Sequence, residues 1–473
     1  MKKYLSLGIV LCLLSFQSSA QTLIGTSTHP DATANHNQRK IVRDSINNIY
    51  VIWVDSLNQE TTIFGQKFTN TGTPTNLVGS WGTATSIVAG NNPTLSISKD
   101  NKIHLVYESN DSLSQIRHRS TIDFSNWSVD LTISDNNKKH TKPCADINDT
   151  GELNVFWIQK ETNTQSLVYA YMQADTLVAT SIIMNKPSIE DLAVANHLQY
   201  FTNTLFLGVQ YSQDSLIFIK SQNQMVAYDT LIEVRGSQPC ISANSNLSSY
   251  TNGSLLYVNL NGELIERYYS SSSILSSKVL STGIVDYVAI NNIVPELGYS
   301  FLYQKNDTLY HTFSHIYGSV ASLDTIATNP IHASIGYKHY NERFVDFIWM
   351  EDAVNGYNIY YKRDGKPDIP QHTDRIENKL NLVVDAYPNP FSDKLIIRLL
   401  TEVDHKKDLV TLKVYSLNAE FIKELKAIDI NNSSHRFEWL GKDSYGQNVP
   451  NGMYILTAKI GTGKITKKII LSR

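Results

Sequence analysis

Six polar side chains stand at one recurring place in this sequence. Asp55, Glu108, Gln159, Gln213, Gln304 and Glu351 each follow, by one or two residues, the aromatic that ends an apolar run, and Asp352 extends the last of them. Carboxylates and amides grouped beside Trp and Tyr suit a hydroxyl-rich carbohydrate or a divalent cation, because they supply acceptors, donors and hard oxygen ligands next to an apolar face. Polar residues after a strand are also ordinary turn formers, so the pattern nominates a binding face and no reaction. His36, His140 and His332 lie near repeat entrances. Zinc needs three or four such groups at about 2 Å from one ion, and isolated loop histidines are the simpler reading. No nucleophile elbow, Walker loop, paired-cysteine motif or calcium loop occurs. No catalytic residue, cofactor or metal is therefore assigned.

The elements that carry these side chains repeat. Apolar runs end at Trp53, Tyr107, Trp157, Tyr211, Tyr257, Tyr303 and Trp349, at intervals of 54, 50, 54, 46, 46 and 46 residues. A strand opening with proline precedes several of them (Pro93, Pro143, Pro330), and a third run follows, as at Ile116–Arg119, Leu167–Tyr171 and Tyr357–Tyr361. A fourth is weaker, as at Leu131–Ile133. Four short strands per repeat of this length are the signature of β-propeller blades, each too small to bury its own faces. The last repeat runs out near Arg363, and Thr22–Thr26 is an orphan strand that completes the seventh blade in this reading. Six blades with a separate N-terminal unit, or a pair of β-sandwiches, are the structural rivals. In a propeller the loops after the second strands share one face, where a rigid scaffold concentrates binding residues.

Composition limits the class. The formal net charge is −3 and the pI about 6.5, which argues against a nucleic-acid surface. Lys2 and Lys3, the apolar run from Leu5 to Phe16 and the small residues Ser18 to Ala20 form a signal peptide over residues 1–20. That run is shorter than the roughly 20 residues a membrane helix needs, and no transmembrane span is expected in the mature chain. Cys144 and Cys240 share the setting Pro-Cys; as equivalent points of separate repeats they are expected as two buried thiols, not a disulfide.

Residues 21–365 resemble the sialidase-like propellers. Thr121, Asp123, Ser125 and Trp127 form a degenerate Asp-box, with Ser125 where the motif has glycine and the tryptophan one residue early. In that family the motif is a folding element remote from catalysis. The Arg-Ile-Pro start of a sialidase is absent from Gln38–Arg43. Arg39, Arg117, Arg235 and Arg343 are scattered and read as solvated or ion-paired surface residues.

A polar stretch at 366–380 with Pro367 and Pro370 reads as a linker. Alternating runs in 381–473 then give six or seven strands, a small antiparallel Ig-like β-sandwich. Tyr387, Pro388, Asn389, Pro390 and Phe391, followed by Val414–Asn418, Trp439–Tyr454 with Gly452 and Tyr454, and a basic-apolar end at Lys467–Arg473, resemble the type A sorting domain of the type IX secretion system of Bacteroidetes-type bacteria. Ala419 stands where that family has glycine after a hairpin Asn. The resemblance implies recognition of 381–473 by the outer-membrane type IX translocon, removal by a sortase, and a secreted or outer-membrane-surface product after the signal peptide and the sorting domain are removed. The fold expected is all-β, a seven-bladed propeller followed by a sandwich. Its expected role is a non-catalytic binding or adhesion module for a carbohydrate or a surface protein, with a glycan-active enzyme, sialidase-like or polysaccharide-degrading, as the alternative.

Overall fold

The computed structural model describes residues 21–365 and 382–473 except 36, 73–77, 149, 197–203, 222–223, 244–251, 271–272, 284, 286, 294–297, 316–319, 337–343, 402–409, 417–419, 432–433 and 461–462. The expected signal peptide, the linker at 366–380, His36, Arg343, Asn418 and Ala419 lie outside the described residues. The chain divides into two compact units, Met1–Ile369 and Pro370–Arg473.

Among the described residues there is no helix. The described residues of the first unit form seven antiparallel sheets, six of four strands and one of five. Their first strands follow one another side by side: Ile41–Arg43, Asn91–Ile97, Lys139–Ile147, Ile189–Asn196, Ser237–Ala243, Tyr287–Ile293 and Ile331–Ile335. The succession returns on itself, because Phe344–Ala353 lies against Ile41–Arg43. Burial falls outward in the second and third sheets. All six residues of the second strand Ile103–Glu108 are buried, whereas the fourth strand Thr176–Lys186 has no buried position. Strands covered on both faces read as continuous apolar runs, which is why the second strands announced themselves so plainly. Their terminal aromatics fill the space between neighbouring sheets, with Trp53, Tyr107, Trp157 and Trp349 at most 2% exposed. Burying a large apolar side chain contributes about 1.5–3 kcal/mol.

Two contacts join the ends of the array. Thr22–Ser27 pairs antiparallel with Gly356–Gly365, with Thr22 opposite Tyr361 and Ser27 opposite Tyr357, so the orphan strand is the outer strand of the last sheet. Arg43 and Asp346, 303 residues apart, form an ion pair with side chains 1% and 0% exposed. Tyr361 Oη donates to the other carboxylate oxygen at 2.6 Å.

The prolines behave differently from expectation. Pro143 lies inside Lys139–Ile147, where the ladder shifts register between Thr141 and Cys144; the same shift occurs at Asn91/Thr94 and Ser237/Cys240. Each of these prolines follows a residue in the left-handed region: Asn92, Lys142 and Gln238. The missing N–H therefore falls at a β-bulge, where the ladder is already broken.

The Asp-box segment is the turn between Ile116–Thr121 and Leu131–Thr132. Asp123 Oδ1 accepts from Ser125 N at 2.9 Å and Asn126 N at 2.8 Å. The left-handed residue is Phe124, not Ser125, so the serine at the motif's glycine position carries no backbone cost. Phe124 is drawn into the core against Tyr50 at 5.0 Å between ring centroids.

The second unit consists of two four-stranded antiparallel sheets, one containing Leu395–Thr401 and Ser434–Trp439, the other Val410–Ser416, Gly452–Ile460 and Gly463–Leu471. Both contribute to one apolar core, Leu395, Ile397 and Trp439 from the first and Leu412, Leu456 and Ile469 from the second.

Candidate functional site

The middle of the array is filled by the chain's own residues 33–35 and 37–40. Thr33 Oγ1 donates to His332 O at 2.6 Å, Asn37 Nδ2 to Pro239 O at 2.7 Å, Gln38 Nε2 to Pro143 O at 2.9 Å and Lys40 Nζ to Pro93 O at 2.5 Å. A short segment that reaches first strands so far apart in a cyclic array can lie only at its axis. The acceptors are the carbonyls of the residues at or beside the bulges: a bulge turns a carbonyl out of the ladder, and here the plug satisfies it. Arg39 is 5% exposed and Lys40 1%, which corrects the reading of Arg39 as a surface residue; Arg39 O also accepts from Leu95 N at 2.7 Å. Loss of hydration at this buried position holds the Lys40 ammonium well below the usual lysine range. Of the other arginines, Arg117 pairs with Asp111 at 3.2 Å and the exposed Arg235 pairs with Asp214.

Five of the six nominated residues sit near the ends of their second strands and Gln213 in the turn after Leu205–Tyr211, and no hydrogen bond among the described residues joins one to another. Asp55 accepts from Thr28 N at 2.7 Å and Thr28 Oγ1 at 2.9 Å, tying down the chain after the closing strand. Glu108 is buried and accepts from Thr141 Oγ1 at 3.1 Å, Lys142 N at 3.3 Å and Asn92 Nδ2, bridging the second and third sheets. Glu351 accepts from Trp349 Nε1 at 2.8 Å. Gln304 is half-buried, and Gln213 and Asp352 are exposed. Gln159 is buried and donates to Glu161 Oε1 at 3.1 Å.

Gln159 opens onto a cleft of about 450 Å³ between the second and third sheets. Asp135, Lys138, His140, Thr180 and Ser181 supply its polar lining, and Ile133, Val168 and Leu177 its apolar part. His140 Nδ1 accepts from Trp157 Nε1 at 2.9 Å, and Nε2 lies 3.2 Å from Asp135 O and 3.4 Å from Asp135 Oδ1. With Nδ1 taken as acceptor, Nε2 carries the proton and donates to Asp135. Both ring nitrogens are thus committed, and burial, opposed by the Asp135 carboxylate, lowers the imidazole pKa. Lys138 is paired with Glu161 at 2.6 Å. His332, by contrast, lies 3.3 Å from Asp31, and His140 and His332 do not share a site. Sequence reasoning missed Asp135, Lys138, Thr180 and Ser181, since Thr180 and Ser181 belong to an exposed fourth strand whose composition is unremarkable.

Cys144 and Cys240 are free and buried. Burial pushes the Cys144 thiol up to about 12 and the Cys240 thiol upward as well, which leaves neither as a ready nucleophile.

In the second unit the Tyr387–Phe391 motif is stitched to the last strand. Asn389 Nδ2 donates to Lys468 O at 3.2 Å and Asn389 Oδ1 accepts from Ile470 N at 2.7 Å. Phe391 N donates to Ile470 O at 3.0 Å, and its ring, 2% exposed, packs against Trp439. Gly452 begins the strand Gly452–Ile460, and Tyr454 Oη donates to Pro450 O at 2.6 Å. Arg473 donates to Leu440 O at 3.1 Å and Val449 O at 3.1 Å, so the final residue is part of the fold.

Residues 385–472 match the family described as secretion system C-terminal sorting domain, the type IX tail. That tail implies secretion to the cell surface or beyond. No curated protein sequence matches the chain. A polysaccharide lyase described as an ulvan lyase shares the fold at 10% identity and a TM-score of 0.50, over 73% of this chain and 96% of its own. A Hadza microbial sialidase aligns at 10% identity and a TM-score of 0.43 over 60% and 66% of the two chains. A lectin of Aleuria aurantia aligns at 11% identity and a TM-score of 0.41 over 63% and 97%.

Proposed function

We propose that the chain is an exported seven-bladed β-propeller that binds a hydroxyl-rich carbohydrate without turning it over. Residues 1–20 serve as the signal peptide, 21–365 as the propeller, 366–380 as the linker and 381–473 as an Ig-like sandwich that acts as the sorting label. The label is removed by the sortase, and the propeller is released or attached at the outer-membrane surface.

The observation that carries the binding reading is the chemistry of the cleft between the second and third sheets. Its amide and hydroxyl groups stand on strands and its charged groups, Asp135 and Lys138, in the loop before Lys139–Ile147, beside Ile133, Val168 and Leu177, the mixture of donors, acceptors and apolar surface that a sugar ring meets well. Its imidazole has no nitrogen free to take a proton from a ligand, which favours recognition over general-base chemistry. Of the six nominated residues Gln159 is the one that lines this cleft; Asp55, Glu108 and Glu351 act as local staples.

A glycan-array screen run beside hydrolysis and elimination assays tests this. Saturable binding that weakens in Lys138→Ala and Thr180→Ala, with no product released, is the expected result. Product release would transfer the site to the glycan-active class, to which the lyase that shares this fold belongs. A chain ending at Asp364 should accumulate in the periplasm, and its normal delivery to the surface would overturn the export assignment.

A further inference from the structure

Away from the cleft, a second group of side chains meets between the same two sheets. His104 lies on Ile103–Glu108 and His118 on Ile116–Thr121; with His104 opposite Ser120 in the pairing, His104, His118 and Ser120 project from one face of the second sheet. Asp175 comes from the third sheet, in the two-residue turn between Gln165–Gln173 and Thr176–Lys186. Ala174 and Asp175 both have positive φ, 47° and 59°, the geometry of a tight hairpin that usually carries Asn and Gly.

Three atoms converge there. His104 Nδ1 is 3.1 Å from His118 Nε2 and 3.7 Å from Asp175 Oδ1, and His118 Nε2 is 4.0 Å from the same oxygen. A triangle with these sides has a centre about 2.1 Å from each corner, the zinc-to-imidazole and zinc-to-carboxylate bond length. The donors are oriented as ligands. Ser120 Oγ donates to Asp175 Oδ2 at 2.9 Å and Lys102 Nζ pairs with it, which leaves Oδ1 turned toward the imidazoles. Oδ1 is buried without a hydrogen-bond partner, an arrangement with a cost that a cation would offset. Outer contacts of this kind fix carboxylate ligands in metal sites. Both imidazoles are buried. Gly151, Leu153, Met172 and Ala174 enclose the group.

We propose that His104, His118 and Asp175 bind a divalent transition-metal ion of the zinc class, and that the ion staples the second sheet to the third. Two nitrogens and one carboxylate oxygen are a borderline-soft donor set suited to Zn²⁺ and unsuited to Ca²⁺ or Mg²⁺, which take oxygen shells.

Chelator-treated chain covering residues 21–473 is titrated with ZnCl₂ by calorimetry and with CoCl₂ by visible absorption. One equivalent should bind, CaCl₂ should not compete, and the thermal midpoint should rise with zinc. His118→Gln and Asp175→Asn should each weaken binding by at least about 100-fold, the upper end of the loss seen when a supporting group is removed. X-ray absorption of the wild-type zinc complex should show two imidazole nitrogens at about 2.0–2.1 Å, a readout independent of whether the variants fold. Absence of saturable binding, unchanged binding in both variants, or an all-oxygen shell would each overturn the site.

Discussion

Asp346→Ala removes one partner from the ion pair that holds the first and last sheets together. In the wild type Arg43 Nε donates to Asp346 Oδ2 at 2.9 Å, Nη2 contacts the same oxygen, and Tyr361 Oη occupies Oδ1. The side chains of the pair are 1% and 0% exposed, so water cannot take the place of the lost carboxylate. Removing one member of a buried pair costs about 3–5 kcal/mol because the other charge stays buried, and the orphaned Tyr361 hydroxyl adds about 1 kcal/mol. Against the roughly 5–15 kcal/mol that holds a domain folded, that is a severe loss. The triple variant Arg43→Met, Asp346→Leu, Tyr361→Phe removes both charges of the pair and the tyrosine hydroxyl together, leaves Asn47 Oδ1 without the Arg43 Nη1 donor it has at 3.2 Å, and should return to within about 2 kcal/mol of wild type. Urea unfolding followed by tryptophan emission measures both, since Trp439 is the one tryptophan of six outside Met1–Ile369. A single-variant loss below about 1 kcal/mol, the value of an exposed pair, would refute the burial argument. A triple variant as damaged as the single one would assign the loss to packing instead of charge.

Other outcomes follow from the same geometry. A Cβ at Gly236 would sit 2.4 Å from Val258 O and 2.9 Å from Tyr257 Cδ2, so Gly236→Ala should cost about 1–3 kcal/mol by calorimetry; an unchanged midpoint would mean that the inner strand gives way freely. In the folded chain of residues 21–473 neither Cys144 nor Cys240 should react with a thiol reagent, and both should react in urea; a fast thiol in the native state would contradict their burial. Folded His140 has a pKa below its ordinary 6.5, so below that pH the unfolded chain binds the extra proton and stability is lost as pH falls. Denaturation curves for His140→Gln should therefore depend less on pH below 6.5 than those of wild type, and parallel curves would remove the imidazole from the account. Phe391→Ala should destabilise the second unit by about 3–5 kcal/mol and lower surface delivery, whereas full delivery would separate the motif's packing from its recognition.

The repeat was legible because the second strands are largely covered on both faces, so most of their positions are apolar and an aromatic stands near the end, from Trp53 to Trp349, with buried polar residues such as His104 and Asp346 between. The sorting label was legible because its motif residues serve local turns and one compact core, in which Phe391, Trp439 and Tyr454 meet. The site was much less so. Asp55 and Glu351 occupy the strand ends where the repeat puts them, yet each is consumed by a neighbour that no spacing announces, Thr28 in one case and Trp349 in the other. Gln38–Arg43, which lacks a sialidase motif, supplies part of the axial plug and one partner of the closing ion pair.

The sequence by itself determined the all-β character, the period, the two free thiols and the exported destination, since each follows from residue type, local pattern or a contiguous motif. Tertiary structure alone decided what lies at the axis, that the cleft opens between the second and third sheets, and that His104, His118 and Asp175 meet. Those depend on side chains from different sheets, such as His104 and Asp175 at 71 positions apart. The physical reason is that burial pattern is written along a strand, whereas a site is written across sheets, where ring closure and bulge geometry, not spacing, set which groups face one another.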